Sequence, residues 1–455
     1  MNIYTADYVL TMNKDLDCIK NGAVCIEGAT ILAVGSLHEI TARYPHVTVH
    51  AYPNTLLMPG LINTHCHSGL LRGTAEGLPV WDWLQQFIDP MHRVLTPYDA
   101  KIASYLCYAE ALLSGTTTIV DMWRYMDGSA EAAKELGIRA VLVPYVAEHP
   151  DHNYFETLKS NEALLKQWHQ AEQGRIQVWV GLEHLFYAEQ SALQRIQALC
   201  HDYQTGFHTH SNESQFDVQE NLKRFGMRPI QTLEKLGMFD VPKCLLAHCV
   251  WANTDEIQLL KYYNVGVAHN PISNMKLASG AAPVSAMLAQ GVAVGLGTDG
   301  EKENNNLDMF EEMKTASLLA KFSQLDAAAL DSWSVCKMAT ITGAKALGMQ
   351  KEIGSLEVGK RADMIAVELL TPRMTPLIDT GPLMNLHTNL VHAVQGQDVV
   401  MTMVDGKVVV ENKTLVNADL QQLIGQINLA APQLFKRRAT WLAQQGEVVN
   451  ELQRT

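Results

Sequence analysis

Apolar and polar positions change period twice along this chain. Residues 1 to about 55 alternate between the two, as in Ala23 to Ile26 and Thr30 to Val34, with a turn expected at Glu27-Gly28. Period-two alternation of this kind predicts a small antiparallel sheet. The far end repeats the pattern at Ala362 to Glu368 and Val399 to Val410, the second run folding back at an Asp405-Gly406 hairpin. Between these ends, short apolar runs at 56–64, 116–121, 138–146, 176–182, 205–210, 244–249, 264–269 and 292–298 alternate with amphipathic stretches of helical period. Eight strand-helix units predict an α/β fold, a (β/α)8 TIM barrel over 56–351. The two β-rich ends, 1–55 and 352–416, then form one small β-sandwich domain, and a Gln-rich helical tail, 417–455, covers surface.

Length and composition narrow the function classes. With 455 residues, 47% of them hydrophobic, the chain can bury a large core. The formal charge of -13 leaves no basic stripe for phosphates, so neither nucleic acid nor an anionic membrane is an expected partner. Met1 is followed by polar residues, and no uncharged run approaches the length of a membrane span, so a cytoplasmic protein is expected. The eight cysteines are scattered without a Cys-x-x-Cys pair, as reduced buried thiols are. The expected partner is a small molecule, and the expected assembly a homo-oligomer.

Chemistry-bearing residues collect at the strand ends, where a TIM barrel keeps its active site. His65 and His67 close the first strand on one face, with Cys66 pointing to the other. A single His-x-His is weak evidence in a chain with 17 histidines. But the fifth strand ends in His208, His210 and Glu213, the sixth in His248 and the eighth in Asp299. Histidine and carboxylate together are the ligand set of zinc or a similar cation.

These motifs, with Pro59 to His67, Leu71 to Gly73, Gly115 to Thr118, His210-x-x-Glu213, Ala247-His248, His269 to Leu277, Gly297 to Gly300 and Gly354 to Asp363, make the chain resemble the amidohydrolase superfamily over nearly its whole length. The resemblance is to the branch of S-adenosylhomocysteine and methylthioadenosine deaminases and triazine hydrolases. It implies one divalent metal ion, Zn2+ with Fe2+ or Mn2+ as alternatives, held by His65, His67, His210 and Asp299. Strand four ends near Glu183-His184 and carries no lysine where binuclear members have a carbamylated one. Glu213, His248 and Asp299 are the implied catalytic residues. Asp299 takes a proton from a metal-activated water, Glu213 protonates a ring nitrogen, and His248 polarises the developing oxyanion or orients the hydroxide. The implied reaction is hydrolytic deamination of an amino-substituted nitrogen heterocycle. Triazine dechlorination, alkylamine release and cyclic amide hydrolysis are the alternatives within enzymes. A metal-binding protein without catalysis is disfavoured, because no catalytic residue has been lost.

His184 matches a substrate-contacting histidine of the family. His208 reads as a residue that supports the ligands from behind or packs beside His210, His269 as part of the Asn-Pro turn, and His201, His387 and His392 as structural. Trp81, Trp83 and Phe87 fall in a long loop after the first strand that would overhang the metal, either stacking on a planar ring or simply packing; Trp123 and Arg124 after the second strand read the same way. Two departures bear on the substrate. Where nucleoside deaminases of the branch carry a ribose-gripping glutamate, this chain has His92, and where relatives place a small hydroxyl beyond the metal aspartate, it has Glu303. Both point away from a ribose and toward an amino-bearing or cationic heterocycle. Alternatively, Glu303 pairs with Lys302 or Arg124 and never meets substrate.

Overall fold

The computed structural model describes residues 1–74 and 76–446, so the end of the expected tail, 447–455, lies outside the described residues. Eight parallel staves form the barrel: β1 Leu61–Cys66, β2 Thr116–Trp123, β3 Arg139–Pro144, β4 Ile176–Val178 continued as Val180–Leu182, β5 Gly206–Ser211, β6 Lys243–His248, β7 Gly266–His269 and β8 Ala293–Leu296. Helices cover the outer face, so nearly every stave residue is buried, as parallel strands require. The break in β4 is bridged where the Trp179 amide donates to the Leu142 carbonyl at 2.9 Å. The ring closes between β1 and β8, where the Thr64 hydroxyl donates to the Leu296 carbonyl at 2.8 Å and the Asp299 amide to the His65 carbonyl at 3.0 Å. Closure thus sets two of the expected metal ligands side by side.

Both chain ends meet in a separate eight-stranded sheet. Its central strand, Thr48–Pro59, lies parallel to Asn2–Leu10 and antiparallel to Met364–Glu368. The parallel pair departs from the all-antiparallel sheet expected from alternation, because the helix Leu37–Arg43 provides the crossover that parallel neighbours need. The boundary also moves: 56–59, read above as the start of the first barrel strand, belongs to this sheet. Gly60 is the joint, and a Cβ there would lie 2.1 Å from the Thr117 side chain. Alternation sends Leu56, Met58, Ile365 and Val367 into the barrel's apolar cluster. Leu57, Met364, Ala366, Met401 and Met403 form a second core on the other face.

The segment after β1, read as a long loop, is mostly helical: Val80–Trp83, a π-turn Leu84–Ile88, then Asp89–Val94. The C-terminal helix Leu420–Gln444 does more than cover surface, because it clamps this segment. Arg437 donates to the Val94 carbonyl at 3.1 Å and pairs with Asp99, and Arg438 donates to the Gln86 carbonyl at 2.9 Å. No helix among the described residues is long and apolar enough to cross a membrane.

Candidate metal centre and substrate cavity

His65, His67, His210, His248 and Asp299 converge at the C-terminal mouth of the barrel. Each histidine ligand is oriented through its other ring nitrogen. His67 Nδ1 donates to the Met122 carbonyl at 2.6 Å, and His210 Nδ1 to the Glu183 carbonyl at 2.7 Å. His65 Nδ1 meets His208 Nε2 at 2.8 Å, while His208 Nδ1 donates to the Leu245 carbonyl at 2.9 Å, so His208 accepts the proton of His65. The three Nε2 atoms therefore all carry lone pairs. Two of them, on His67 and His210, stand only 3.2 Å apart, and with both hydrogens committed elsewhere they cannot hydrogen-bond to each other. His65 Nε2 is buried with no hydrogen-bond partner.

A bound cation would relieve this repulsion. Asp299 Oδ1 lies 3.5 Å from His65 Nε2 and 3.3 Å from His67 Nε2. Donors about 2.1 Å from a tetrahedral zinc sit about 3.4 Å from one another, so the spacing fits a bound divalent ion. The protonation states fit too. Burial and neighbouring histidines hold His67, His208 and His210 well below the usual imidazole range, and burial lowers His65 as well. Burial alone would raise Asp299, but His65, His248 and His67 hold it well below the usual carboxylate range. The donor set is therefore neutral imidazole plus carboxylate, ready for a metal.

The side chains around this cluster are held with equal care. His248 Nδ1 contacts Asn274 Oδ1 at 2.9 Å, leaving Nε2 3.8 Å from Asp299 Oδ2 and 3.9 Å from Glu213 Oε2. Ser273 donates its hydroxyl to Asp299 Oδ2 at 2.6 Å. Burial pushes the Glu213 carboxyl up, with His248 opposing, so this acid readily keeps its proton. His248 and Asp299 both adopt left-handed backbone, φ 71° and 61°, a strain that functional sites commonly retain. Asn63 holds the Asp299 turn in register, donating from Nδ2 to the Thr298 hydroxyl at 2.7 Å and accepting from the Thr298 amide at 3.1 Å.

A narrow cavity opens beside these groups. Its wall includes His67, His210, Glu213, His248 and Asp299 together with three of the expected substrate residues, Trp83, His184 and Glu303. Burial would lower His184, but the Glu183 carboxylate, 2.7 Å from its Nδ1, raises it to about 9, and its buried Nε2 is unpartnered. Burial pushes Glu303 up while Lys302, 2.8 Å away, holds it down. Glu183, Val80, Leu84, Leu277 and Tyr145 complete the lining; Val80, Leu84 and Tyr145 lie in no motif that sequence alone could flag. The contact of Ser273 with Asp299 and that of His208 with His65 were hidden too, since each depends on which side chain faces it across the barrel.

His92 and Arg124 are not among the residues lining the cavity. The His92 ring is edge-on to Trp123, Tyr145 and Phe155 at 5.3 to 5.8 Å, and burial keeps it neutral, so it serves as an aromatic packing unit behind Tyr145. Arg124 Nη1 donates to the His92 carbonyl at 2.6 Å and its guanidinium faces Glu156. Phe87 turns away from the metal centre and packs against Phe435 and Arg438 of the C-terminal helix. Trp81 reaches the rim, donating to the Ser214 hydroxyl at 3.1 Å with its ring 5.2 Å from His184. Cys66 lies against Cys107, Sγ to Sγ 3.6 Å, on the face of β1 opposite the ligands.

Comparison with known proteins agrees with this geometry. The amidohydrolase family profile matches residues 56–409, and an imidazolonepropionase-like composite domain matches 22–46. The chain is 40% identical over 433 residues to a 5'-deoxyadenosine deaminase of Methanosarcina acetivorans, spanning 94% of this chain and 97% of that one. It is 39% identical over 419 residues to a 5-methylthioadenosine/S-adenosylhomocysteine deaminase of Syntrophomonas wolfei, spanning 91% and 95%. Among solved structures, a zinc-bound adenosine deaminase from Xanthomonas campestris superimposes with a TM-score of 0.88 at 29% identity, covering 96% of this chain and 98% of that one. A triazine hydrolase variant, at 24% identity and a TM-score of 0.86 over 94% and 99%, shares the fold. With histidines and an aspartate converging at the mouth of a barrel that the family profile spans almost whole, this chain belongs to the amidohydrolase family.

Proposed function

We propose that this chain is a metal-dependent hydrolytic deaminase that releases ammonia from a small amino-substituted nitrogen heterocycle, with one zinc ion per chain held by His65, His67, His210 and Asp299. The observation that carries the reading is the convergence of three imidazole lone pairs and one carboxylate on a single point beside a protonatable buried glutamate. A divalent ion bound there lowers the pKa of water to about 7 and so supplies hydroxide at neutral pH.

The protein's own groups divide the proton work. Glu213, whose protonated form burial favours, donates its proton to the ring nitrogen of the substrate, which makes the amino-bearing carbon electrophilic. Asp299 Oδ2 is steadied by Ser273 and lies close to His248 Nε2, where it can take up a proton and return it to the departing amine. His248, between Asp299 and Glu213, stabilises negative charge as it develops on the attacked carbon's oxygen. His184 Nε2, cationic through Glu183, donates to an acceptor on the ring, and Trp83 and Leu84 flank it with apolar surface. The curated relatives are named for adenosine-type nucleosides. The Glu303 carboxylate on the cavity wall, where the resemblance leads one to expect a small hydroxyl, favours an amino-bearing ring without ribose.

Metal analysis together with ammonia release on a purine, pterin, pyrimidine and triazine panel tests the reading. One zinc per chain and ammonia from at least one ring are expected. Glu213→Gln should keep the metal and the fold while turnover falls about 10²- to 10⁴-fold. Two metals per active chain, chloride or alkylamine release without ammonia, or near-normal activity in Glu213→Gln would each contradict it.

A further inference from the structure

Lys302 and Glu303 stand outside the machinery described so far. They follow Asp299 directly, in the short helix Glu301–Asn304, and form an ion pair at 2.8 Å whose side chains are only 4% and 6% exposed. The Lys302 ammonium also lies 5.8 Å from the centre of the Trp83 ring. Glu303 spends one oxygen on this pair. The other, Oε2, is buried without a hydrogen-bond partner, and Glu303 lines the cavity. A buried carboxylate oxygen left unmatched is costly, so its position calls for a donor that arrives with the ligand.

Its place around the metal centre says which donor. Glu303 Oε2 sits over Gly300, where a Cβ would meet it at 2.2 Å and His67 Cβ at 3.0 Å. It is therefore on the side of Asp299 that faces His65 and His67 through Oδ1. Glu213 is on the other side, reached through His248 and Oδ2. The two carboxyl groups flank the ligand cluster. A ring that turns one nitrogen to Glu213 must present to Glu303 the atom on the far side of its amino-bearing carbon. In a 6-aminopurine or 4-aminopyrimidine that atom is carbon, which leaves Oε2 unmatched. In a cyclic guanidine, whose amino-bearing carbon sits between two ring nitrogens, it is a ring N–H.

Resting on the deaminase reading above, we propose that Glu303, set in place by Lys302, selects cyclic guanidines, heterocycles with a 2-aminopyrimidin-4-one edge, whose ring N–H donates to Glu303 Oε2. Glu303 is a specificity-determining residue, and Lys302 positions it while balancing its charge. With the Lys302 ammonium held against its other oxygen, Oε2 can accept a charge-assisted hydrogen bond, about twice as strong as a neutral one, enough to separate the two ring classes.

Zinc-loaded protein carrying Glu213→Gln, so that turnover does not intervene, is titrated calorimetrically with isocytosine and with 4-aminopyrimidine, alone and with Glu303→Ser or Glu303→Gln added. Isocytosine is expected to bind about 10-fold or more tightly than 4-aminopyrimidine, a preference that collapses in both Glu303 variants while zinc content is unchanged. Equal binding of the two rings, or a preference that survives both variants, overturns the proposal. Ammonia release with Glu213 intact is read separately. Turnover of isocytosine ahead of 4-aminopyrimidine and 5'-deoxyadenosine supports the proposal, and the reverse order overturns it. No ammonia from any compound refutes the deaminase reading, while the titrations still decide the role of Glu303.

Discussion

At the scale of single residues, the candidate metal centre depends on side chains outside the cluster of converging donors. His208 is one: its Nε2 accepts the Nδ1 proton of His65 and so aims the other nitrogen at the centre. Partners of this kind fix both tautomer and ring angle, and their loss typically costs about 10- to 100-fold in metal affinity. His208→Ala should fold and melt cooperatively yet bind zinc about 10- to 100-fold more weakly in a competition titration with a chelator. Unchanged zinc affinity would mean that packing alone orients His65. The same residue shows a limit of sequence reading. Next to the His-x-x-Glu spacing, His208 reads as a supporting or packing neighbour of His210, and nothing along the chain reveals that the side chain it supports is His65, from across the barrel.

Among elements, the site is a property of the seam between β1 and β8. Asp299 reaches His65 and His67 because glycines let the two strands approach closely. At Gly297, a Cβ would lie 2.4 Å from Asn270 Oδ1 and 2.9 Å from both the amide and the carbonyl of His65. Two of those contacts are backbone and cannot swing aside. Gly297→Ala should therefore cost about 1–3 kcal/mol in stability and lower zinc content by pushing Asp299 away from the β1 histidines. A variant with normal stability and full zinc, by denaturant unfolding and elemental analysis, would show that the seam has slack. The segment 80–94 supports the opposite wall, and its π-turn and its clamp on the C-terminal helix are features that the apolar pattern there did not reveal.

For the whole molecule, one buried arginine ties the barrel to the sheet built from both chain ends. Arg139, at the start of β3 and 1% exposed, donates to Asp363 through Nε at 2.8 Å and Nη2 at 3.1 Å, and to Asp405 at 2.5 Å. Asp363 also accepts from the Asp405 amide at 2.8 Å, and its carbonyl accepts from the Gly60 amide at 3.0 Å. The motif running from Gly354 to Asp363 thus ends on the residue where barrel and sheet meet. Removing the cation would leave two buried carboxylates uncompensated, a change that typically costs about 3–5 kcal/mol. Arg139→Met is expected to lose that much in urea unfolding, with the two units separating before the barrel itself melts. A loss below 1 kcal/mol would place the coupling elsewhere, in the apolar contacts of Leu56, Met58, Ile365 and Val367.

Periodicity and motif spacing alone determined the barrel and the joining of the two ends, and put histidines and carboxylates at the strand ends, because each rests on local rules: period two for strands, period 3.6 for helices, and strand ends as the place for chemistry. His65 and His67 announced themselves because two residues apart on one strand already share a face. What required the tertiary structure was everything that depends on distance across the barrel. His92 was legible as a departure from a family pattern and Arg124 as a residue following the second strand, yet only packing shows that both lie off the cavity lining while Tyr145, 53 and 21 residues further along, forms part of its wall. The strand boundary at Gly60 was hidden for a related reason: 56–59 and 61–66 are both apolar, and no local signal distinguishes a strand buried in one sheet from its continuation buried in another. Glu303 combines both cases. Its identity was visible as an unexpected carboxylate, but that one oxygen answers to Lys302 while the other stands unmatched in the cavity follows from how β8 closes against β1.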